Sequence, residues 1–378
     1  MATNIGILTS SRADYSIYYP LILELQKLPQ TSVEIIAFGT HLSKNHGYTI
    51  DQILADGLEV KHRIEHCFAT NDTAFDISMA MAKTSMQFAH FWNDHNFDLV
   101  FCLGDRYEMF AAVSAAVPFQ INLAHLYGGE KTEGAIDDCL RHGITMMSNW
   151  HFTACEQYKN RVSTLTETTD NVFNLGHLSI DNLNRLKLLE IDELEKRTGV
   201  NFHIPTILCT FHPETIQFER NAYFAKQIAE AFRELKDFQV FITMPNSDTG
   251  SLAIRDEFLL LEKTNQHIYT TENLGTIGYL SAMKHCSLMV GNTSSGFVEA
   301  SYFPKTVINL GERQTGRIVT ENIINTVIEK DEIIQAIRTN YNKKMNFGAI
   351  QIYGNGNTSQ KISQVVTETI LKSQYTND

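Results

Sequence analysis

Residues 98–117, DLVFCLGDRYEMFAAVSAAV, read as one strand, one tight turn and one helix. The apolar run ends at Gly104, and the charged cluster Asp105-Arg106 stands where the strand gives way to an apolar, alanine-rich helix over Tyr107–Val117. A short buried strand with polar groups only at its carboxyl end is what a parallel sheet covered by helices requires. The pattern recurs on both sides. NIGILTS is followed by the turn and helix cap SSRAD and the helix YSIYYPLILELQKL; then come VEIIAFG, a helix near 48–55, LEVKHRI and a long helix over 74–95. After residue 117 follow INLAHL, a helix over 135–149, HFTA and NVFNLG. Past a helical connector near 181–198 the alternation restarts. TILCTF, FQVFITM, QHIYTT, CSLMVG and TVINL read as strands, with helices near 222–235, 251–263, 276–283 and 295–302.

The expected fold class is therefore α/β with two Rossmann-like doubly wound domains and the active site in the cleft between them. The expected boundaries are 1–180 for the first domain and 181–357 for the second. The amphipathic segment 358–378, with Ile362, Val365, Val366, Ile370 and Leu371 on one face, is expected to pack back on the first domain.

Bulk properties narrow the function classes. A formal net charge of -12 over 378 residues argues against nucleic-acid or membrane-surface binding, which needs a basic face, but leaves room for an anionic small molecule. No apolar run approaches the roughly 18 residues of a membrane helix, and the N-terminus enters a strand without a signal-like core, so a cytoplasmic location is expected. The six cysteines form no CxxC pair, and neither zinc nor a disulfide framework is indicated.

Ligands of open parallel sheets bind beyond the carboxyl ends of the strands. Arg12 and Asp14, Asp105 and Arg106, the run from His125 to Glu130, His212, and Gly291-Asn292-Thr293-Ser294-Ser295-Gly296 all stand there. The last of these reads either as a phosphate turn at a helix start, with Glu299 placed for ribose hydroxyls, or as a plain N-cap. On helix 135–149, Ile136, Leu140, Ile144 and Met147 mark the core side. Asp137 with Arg141, and Asp138 with His142, are then helix neighbours. They are either surface ion pairs or, with Glu130 and Asp105, coupled carboxylates able to act as acid and base near neutral pH. His41 and His46 lack a partner at metal-ligand spacing, and a loop histidine is the expected reading. MPNSDTG (244–250) reads as a turn, and GERQTGR (311–317) as either an anion contact or a solvated loop.

Taken in order, SSRADY, GTHLSKNHG, GDRYE, GGEKTEGAIDDCLRH, FHPE, PNSDTG, GNTSSGFVEA and INLGERQTGR resemble the hydrolysing UDP-N-acetylglucosamine 2-epimerases of sialic-acid synthesis. The resemblance implies a glycosyltransferase-B-like fold, a nucleotide-sugar substrate, no cofactor or metal, and a homo-oligomer, dimer or tetramer. It implies catalytic roles for Asp105, Glu130, Asp137, His125 and Arg141. Substrate contacts are implied for Arg12, Asp14, His41, Arg106, Tyr127, His212, Asn246, Gly291, Asn292, Ser294, Ser295, Gly296, Glu299 and Arg313. The implied reaction takes UDP-GlcNAc and water to N-acetylmannosamine and UDP through 2-acetamidoglucal. The same chemistry on UDP-2,4-diacetamido-2,4,6-trideoxyglucose is the nearest alternative; a non-hydrolysing epimerase or a glycosyltransferase on the same fold stands further off. One position departs from the pattern: similar enzymes often carry Glu immediately before the Gly-Gly pair, where this chain has Tyr127.

Overall fold

The structure, a computed structural model, describes residues 3–371 apart from 30, 45–46, 66, 70, 72, 246–249 and 342–349. The expectations for His46, Asn246 and residues 372–378 fall outside the described residues. The chain forms two compact units: residues 1–130, 137–184 and 352–378, and residues 131–136 and 185–351.

The first unit contains β1 (Thr3–Thr9), α1 (Arg12–Leu25), β2 (Thr31–Ala37), α2 (Ile50–Ala55), β3 (His62–Arg63), α3 (Ala74–Asp94), β4 (Leu99–Leu103) and α4 (Tyr107–Ala116). It continues with β5 (Leu123–Leu126), α5 (Asp137–Met147), β6 (Trp150–Thr153), α6 (Glu156–Thr166), β7 (Val172–Asn174) and α7 (Leu178–Arg185). The second unit holds α8 (Ile191–Thr198), β8 (Thr206–Thr210), α9 (Asn221–Glu234), β9 (Gln239–Thr243), α10 (Ser251–Thr264), β10 (Ile268–Thr271) and α11 (Gly275–His285). It closes with β11 (Leu288–Gly291), β12 (Val307–Leu310), β13 (Ile323–Thr326) and α12 (Lys330–Tyr341), and α13 (Thr358–Val365) returns to the first unit.

Both sheets are parallel. Their orders are β3-β2-β1-β4-β5-β6-β7 and β10-β9-β8-β11-β12-β13. Strand order therefore reverses between β1 and β4 in one unit and between β8 and β11 in the other. The reversal opens a gap beyond the carboxyl ends of each of those pairs. The central strands are apolar on both faces, since helices cover both sides: β4 (LVFCL) is buried at every position, and so is β8 (TILCT).

Several elements depart from the sequence reading, each for a local reason. LEVKHRI supplies only the two-residue edge strand β3, because its charged residues leave little to bury. No element was expected for α6, β13 or α12; α6 buries only Tyr158 and Val162, a stripe too narrow to read as periodicity. The connector near 181–198 is two helices, α7 and α8. The helix expected over 295–302 is instead two short 3₁₀ turns, Ser294–Gly296 and Glu299–Tyr302.

The start of helix α13 is capped by a side chain of α7. Asp181, 1% exposed, accepts hydrogen bonds from the Thr358 and Ser359 amides (3.0 and 2.7 Å) and from the Ser359 hydroxyl at 2.6 Å. Three otherwise open donors at a helix start are satisfied by one carboxylate. Ile362 and Val366 then bury against the first unit, where α13 packs on α1. Asp181→Ala is expected to lower stability by about 1–3 kcal/mol, measured by urea denaturation, with Asp181→Asn recovering part of the loss; an unchanged midpoint for the alanine variant would contradict this.

Candidate active site

In the first unit the sequence candidates converge on one buried cation. Arg141, on α5 and 1% exposed, donates from Nη1 to the Glu130 carbonyl at 2.8 Å and to Asp138 Oδ1 at 3.1 Å, and from Nη2 to Asp105 Oδ2. It thereby ties together the turn after β4, the loop after β5 and the start of α5. Asp138 also stands 3.7 Å from His142 Nε2. Glu130 is 4% exposed, and Asp137 opens α5 half-buried. An arginine taken from water is held only where carboxylates and carbonyls replace its hydration, and this set does so. Asp105 keeps 27% of its side chain exposed, enough to meet a ligand while paired.

The loop before Glu130 is shaped by close backbone approach. A Cβ on Gly129 (φ +81) would lie 2.3 Å from the Tyr158 carbonyl, so only glycine fits there. Tyr127 itself adopts φ +69, an unfavourable conformation for a bulky residue. Its hydroxyl accepts from the Leu178 amide at 2.8 Å, and its ring stacks on His177, centroids 4.0 Å apart and 4° from parallel. His177 was missed in the sequence, although it follows β7 by the same strand-end rule that marks the other candidates. Its Nδ1 accepts from the Ser179 amide (3.2 Å), which leaves the ring's proton on Nε2.

Other candidates turn out to hold the frame. His125 is fully buried, Nε2 donating to the Gly104 carbonyl at 2.9 Å and Nδ1 facing the Thr145 hydroxyl at 3.1 Å; burial pushes its pKa down to about 3. It fixes the turn that carries Asp105, both ring nitrogens facing protein oxygens. His41, also fully buried, spans the Thr9 and Thr49 hydroxyls at 2.9 and 2.8 Å, with its pKa again pushed by burial to about 3. Asp14 closes a capping box with Ser11 and accepts from the Ser10 and Ser11 amides and hydroxyls, so it secures α1. Arg12, one residue into α1, stays half-exposed. Arg106 forms a two-pronged bond to the fully buried Glu108, at 3.2 and 3.0 Å. Burial pushes the Glu108 carboxyl up, and the guanidinium opposes that push.

In the second unit, Asn292 clamps the strand-order reversal. Its side chain accepts from the His212 amide at 2.7 Å and donates to the His212 carbonyl at 2.8 Å. Its side-chain amide thereby holds the two strand ends in register. Gly291 is obligatory, as a Cβ would lie 2.0 Å from the Thr210 carbonyl. Ser295 Oγ joins a hydroxyl chain with Tyr279 (2.7 Å) and Thr293 (3.1 Å), while Ser294 is exposed. Because residues 294–302 form 3₁₀ turns, the helix-dipole argument for phosphate at this point does not apply. Glu299 opens the second turn, half-buried. Arg313, 9% exposed, donates to the Pro213 carbonyl, and Glu214 Oε1 receives the Glu312 and Arg313 amides at 2.7 and 3.3 Å. Residues 131–136 belong to this unit and dock on 312–316: the Glu133 amide bonds the Thr315 carbonyl at 2.9 Å, and Gly134 lies so close that a Cβ would meet Glu312 O at 2.5 Å. GERQTGR is thus a packed segment rather than a solvated loop. Among the described residues no helix is long and apolar enough to cross a membrane, and no group of three or more His, Cys, Asp or Glu could hold a metal ion.

The profile of the UDP-N-acetylglucosamine 2-epimerase family matches residues 23–367. The chain belongs to this family. It is 35% identical over 325 residues to the GDP/UDP-N,N'-diacetylbacillosamine 2-epimerase (hydrolyzing) of Campylobacter jejuni, covering 86% of this chain and 84% of that protein. It is 32% identical to polysialic acid biosynthesis protein P7 of Escherichia coli, covering 89% and 85%. Among solved structures it is similar to the UDP-GlcNAc 2-epimerase of Neisseria meningitidis bound to UDP-GlcNAc, with a TM-score of 0.81, 19% identity, and coverage of 97% and 100%. The family member from Methanocaldococcus jannaschii, solved with UDP-GlcNAc and UDP, gives a TM-score of 0.79 at 18% identity, covering 97% and 99%. These likenesses place both parallel-sheet units in the glycosyltransferase-B-like fold.

The buried histidines of this epimerase predict a pH dependence. His41, His125 and His151 fold neutral, with pKa values held near 3, 3 and 4 by burial, whereas in the unfolded chain they titrate near about 6.5. Unfolding therefore takes up protons between those limits; the stability these groups give is whole above about pH 6.5 and is lost as pH falls toward 4. Urea midpoints are expected to fall across this range and to fall less steeply in His125→Asn; an equal slope in the variant would contradict the assignment.

Proposed function

We propose that the protein is a hydrolysing 2-epimerase of a UDP-linked 2-acetamido sugar, releasing UDP and the free 2-epimer. The observation that carries this reading is Asp105, half-exposed beyond β4 yet held in place by the buried Arg141 beside the Glu130 loop. The C2 hydrogen of such a sugar lies next to no carbonyl, so it is acidic only as positive charge develops at C1. In the proposed reaction the C1–O bond to UDP breaks, a carboxylate takes the C2 proton, and the electron pair of the C–H bond forms the C1=C2 double bond of a 2-acetamidoglycal. Water then adds its oxygen to C1, and a proton returns to C2 on the opposite face. Asp105, Glu130 and Asp137 are the proposed proton-handling groups, Arg141 pairing with Asp105 and orienting it. For the second unit we propose nucleotide binding. Ser294, Ser295, His212 and Arg313 would attend the phosphates, and Glu299 the ribose. Arg12 and Arg106 are proposed to stabilise the departing diphosphate.

The sugar we propose is the 2,4-diacetamido-2,4,6-trideoxy one. Relatives named for UDP-N,N'-diacetylbacillosamine are 35% and 28% identical, the second across 100% of this chain, whereas those named UDP-N-acetylglucosamine 2-epimerase are 26% and 24% identical. Tyr127, stacked on His177, supports a sugar site altered from one that presents Glu at that position. UDP-GlcNAc is the second reading, supported by the 32% identity to the polysialic acid biosynthesis protein.

Two kinetic outcomes are expected. UDP release from the diacetamido sugar exceeds that from UDP-GlcNAc in kcat/KM, and the reverse order would return the substrate to UDP-GlcNAc. Asp105→Asn and Glu130→Gln each lower kcat by about 10²–10⁴-fold with the fold intact by circular dichroism; near-normal turnover in Glu130→Gln would remove that residue from the proton-handling set.

A further inference from the structure

Tyr127 sits where the backbone least favours a bulky side chain. Its φ of +69 lies in the left-handed region, and a tyrosine stays there only while its surroundings hold it. Three contacts do so. The amide donates to the Phe152 carbonyl at 2.9 Å, the hydroxyl accepts from the Leu178 amide at 2.8 Å, and the ring lies flat on His177. Two glycines separate Tyr127 from Glu130, and glycine backbone sets no direction of its own. The far end of this loop is held by Arg161, which donates to the Gly129 carbonyl at 2.5 Å, and by Arg141 at the Glu130 carbonyl. At the near end, the direction in which the chain leaves Tyr127 is imposed by what holds Tyr127.

His177 is itself seated from two sides. Ser179 fixes the plane of its ring, the amide at 3.2 Å and the hydroxyl at 2.7 Å from Nδ1. On the other side stands Tyr353, fully buried, in the segment that returns to the first unit ahead of α13. The His177 amide donates to the Tyr353 carbonyl at 2.8 Å, and the two rings meet edge to face, centroids 6.4 Å apart at 74°. The backbones touch here. A Cβ on Gly176 would lie 2.8 Å from both the Tyr353 carbonyl and the Thr358 hydroxyl, so this position admits only glycine. The Thr358 hydroxyl donates to the Leu175 carbonyl at 3.2 Å, and the Asn184 side chain to the Asn355 carbonyl at 2.8 Å. A row of three rings, Tyr353, His177 and Tyr127, thus runs from the C-terminal return to the start of the Glu130 loop.

We propose that the Tyr127–His177 stack, seated by the C-terminal return at Tyr353, is a positioning device that fixes the direction of the loop carrying Glu130. This deepens the proposed function and rests on Glu130 as a proton-handling group; in this role both rings act through the loop rather than by proton transfer. The full chain is tested by kinetics with the faster of the two UDP sugars and, without substrate, by hydrogen exchange at the Tyr127 amide. His177→Ala is expected to lose protection at that amide and to lower kcat by about 10–100-fold, with KM moved far less. His177→Phe, which keeps a flat ring but no ring nitrogen, recovers most of both losses. Tyr353→Ala acts in the same direction as His177→Ala. In a Tyr127→Gly background, where glycine takes the positive φ unaided, His177→Ala adds nothing further to either readout. A His177→Phe variant as impaired as His177→Ala, or a His177→Ala effect undiminished in Tyr127→Gly, overturns the proposal, because the imidazole then acts by its own chemistry. So does unchanged protection in His177→Ala or Tyr353→Ala. Faster exchange with normal kcat in His177→Ala overturns it when Glu130→Gln is inactive; when Glu130→Gln also turns over normally, the positioning of the loop stands and the role of Glu130 falls.

Discussion

The guanidinium of Arg141 is the constraint on which the candidate site depends. It is buried on α5 and held by Asp105, Asp138 and the Glu130 carbonyl. A cation so placed is stable only while those acceptors stay in register, so one side chain fixes the relative positions of three separate chain segments. Removing one partner leaves an uncompensated buried charge, and replacing Arg141 leaves carboxylates crowded without their counter-ion. The catalytic proposal and the local stability of the first unit therefore share the same atoms.

Around this core the protein spends much of its polar inventory on holding turns. His125 fixes the Gly104 turn, His41 joins the loops after β1 and β2, Asp14 closes the start of α1, and Asn292 pins the two sides of the second strand-order reversal. Each stands beside a residue that keeps some exposure: Asp105, Arg12 or Ser294. The pattern is one of rigid supports behind a few presented groups, which is how a site on strand-end loops achieves fixed geometry.

The alternation of strand and helix was legible in the sequence because both faces of each sheet are covered, making runs such as LVFCL and TILCT apolar throughout. The strand-end location of the candidate residues followed from the same fact. What could not be read was which of them point outward. A histidine at a strand end has the same letter whether it meets a ligand or, like His125, is sealed beneath a turn by Thr145 on a helix 20 residues later. The departure of residues 131–136 to the second unit depends on partners at 312–316, far along the chain, so the helix expected from residue 135 starts instead at Asp137. Asp14 was legible as a cap: SSRAD announces one, and the capping box occupies its carboxylate.

The central claim, that this family member breaks the C2–H bond and the bond to UDP in one catalytic cycle, is tested most directly by NMR of the two UDP sugars turned over in D₂O. The account predicts UDP together with a free 2-acetamido sugar inverted at C2 and carrying deuterium there. A product that keeps protium at C2, or an epimer still attached to UDP, would contradict it.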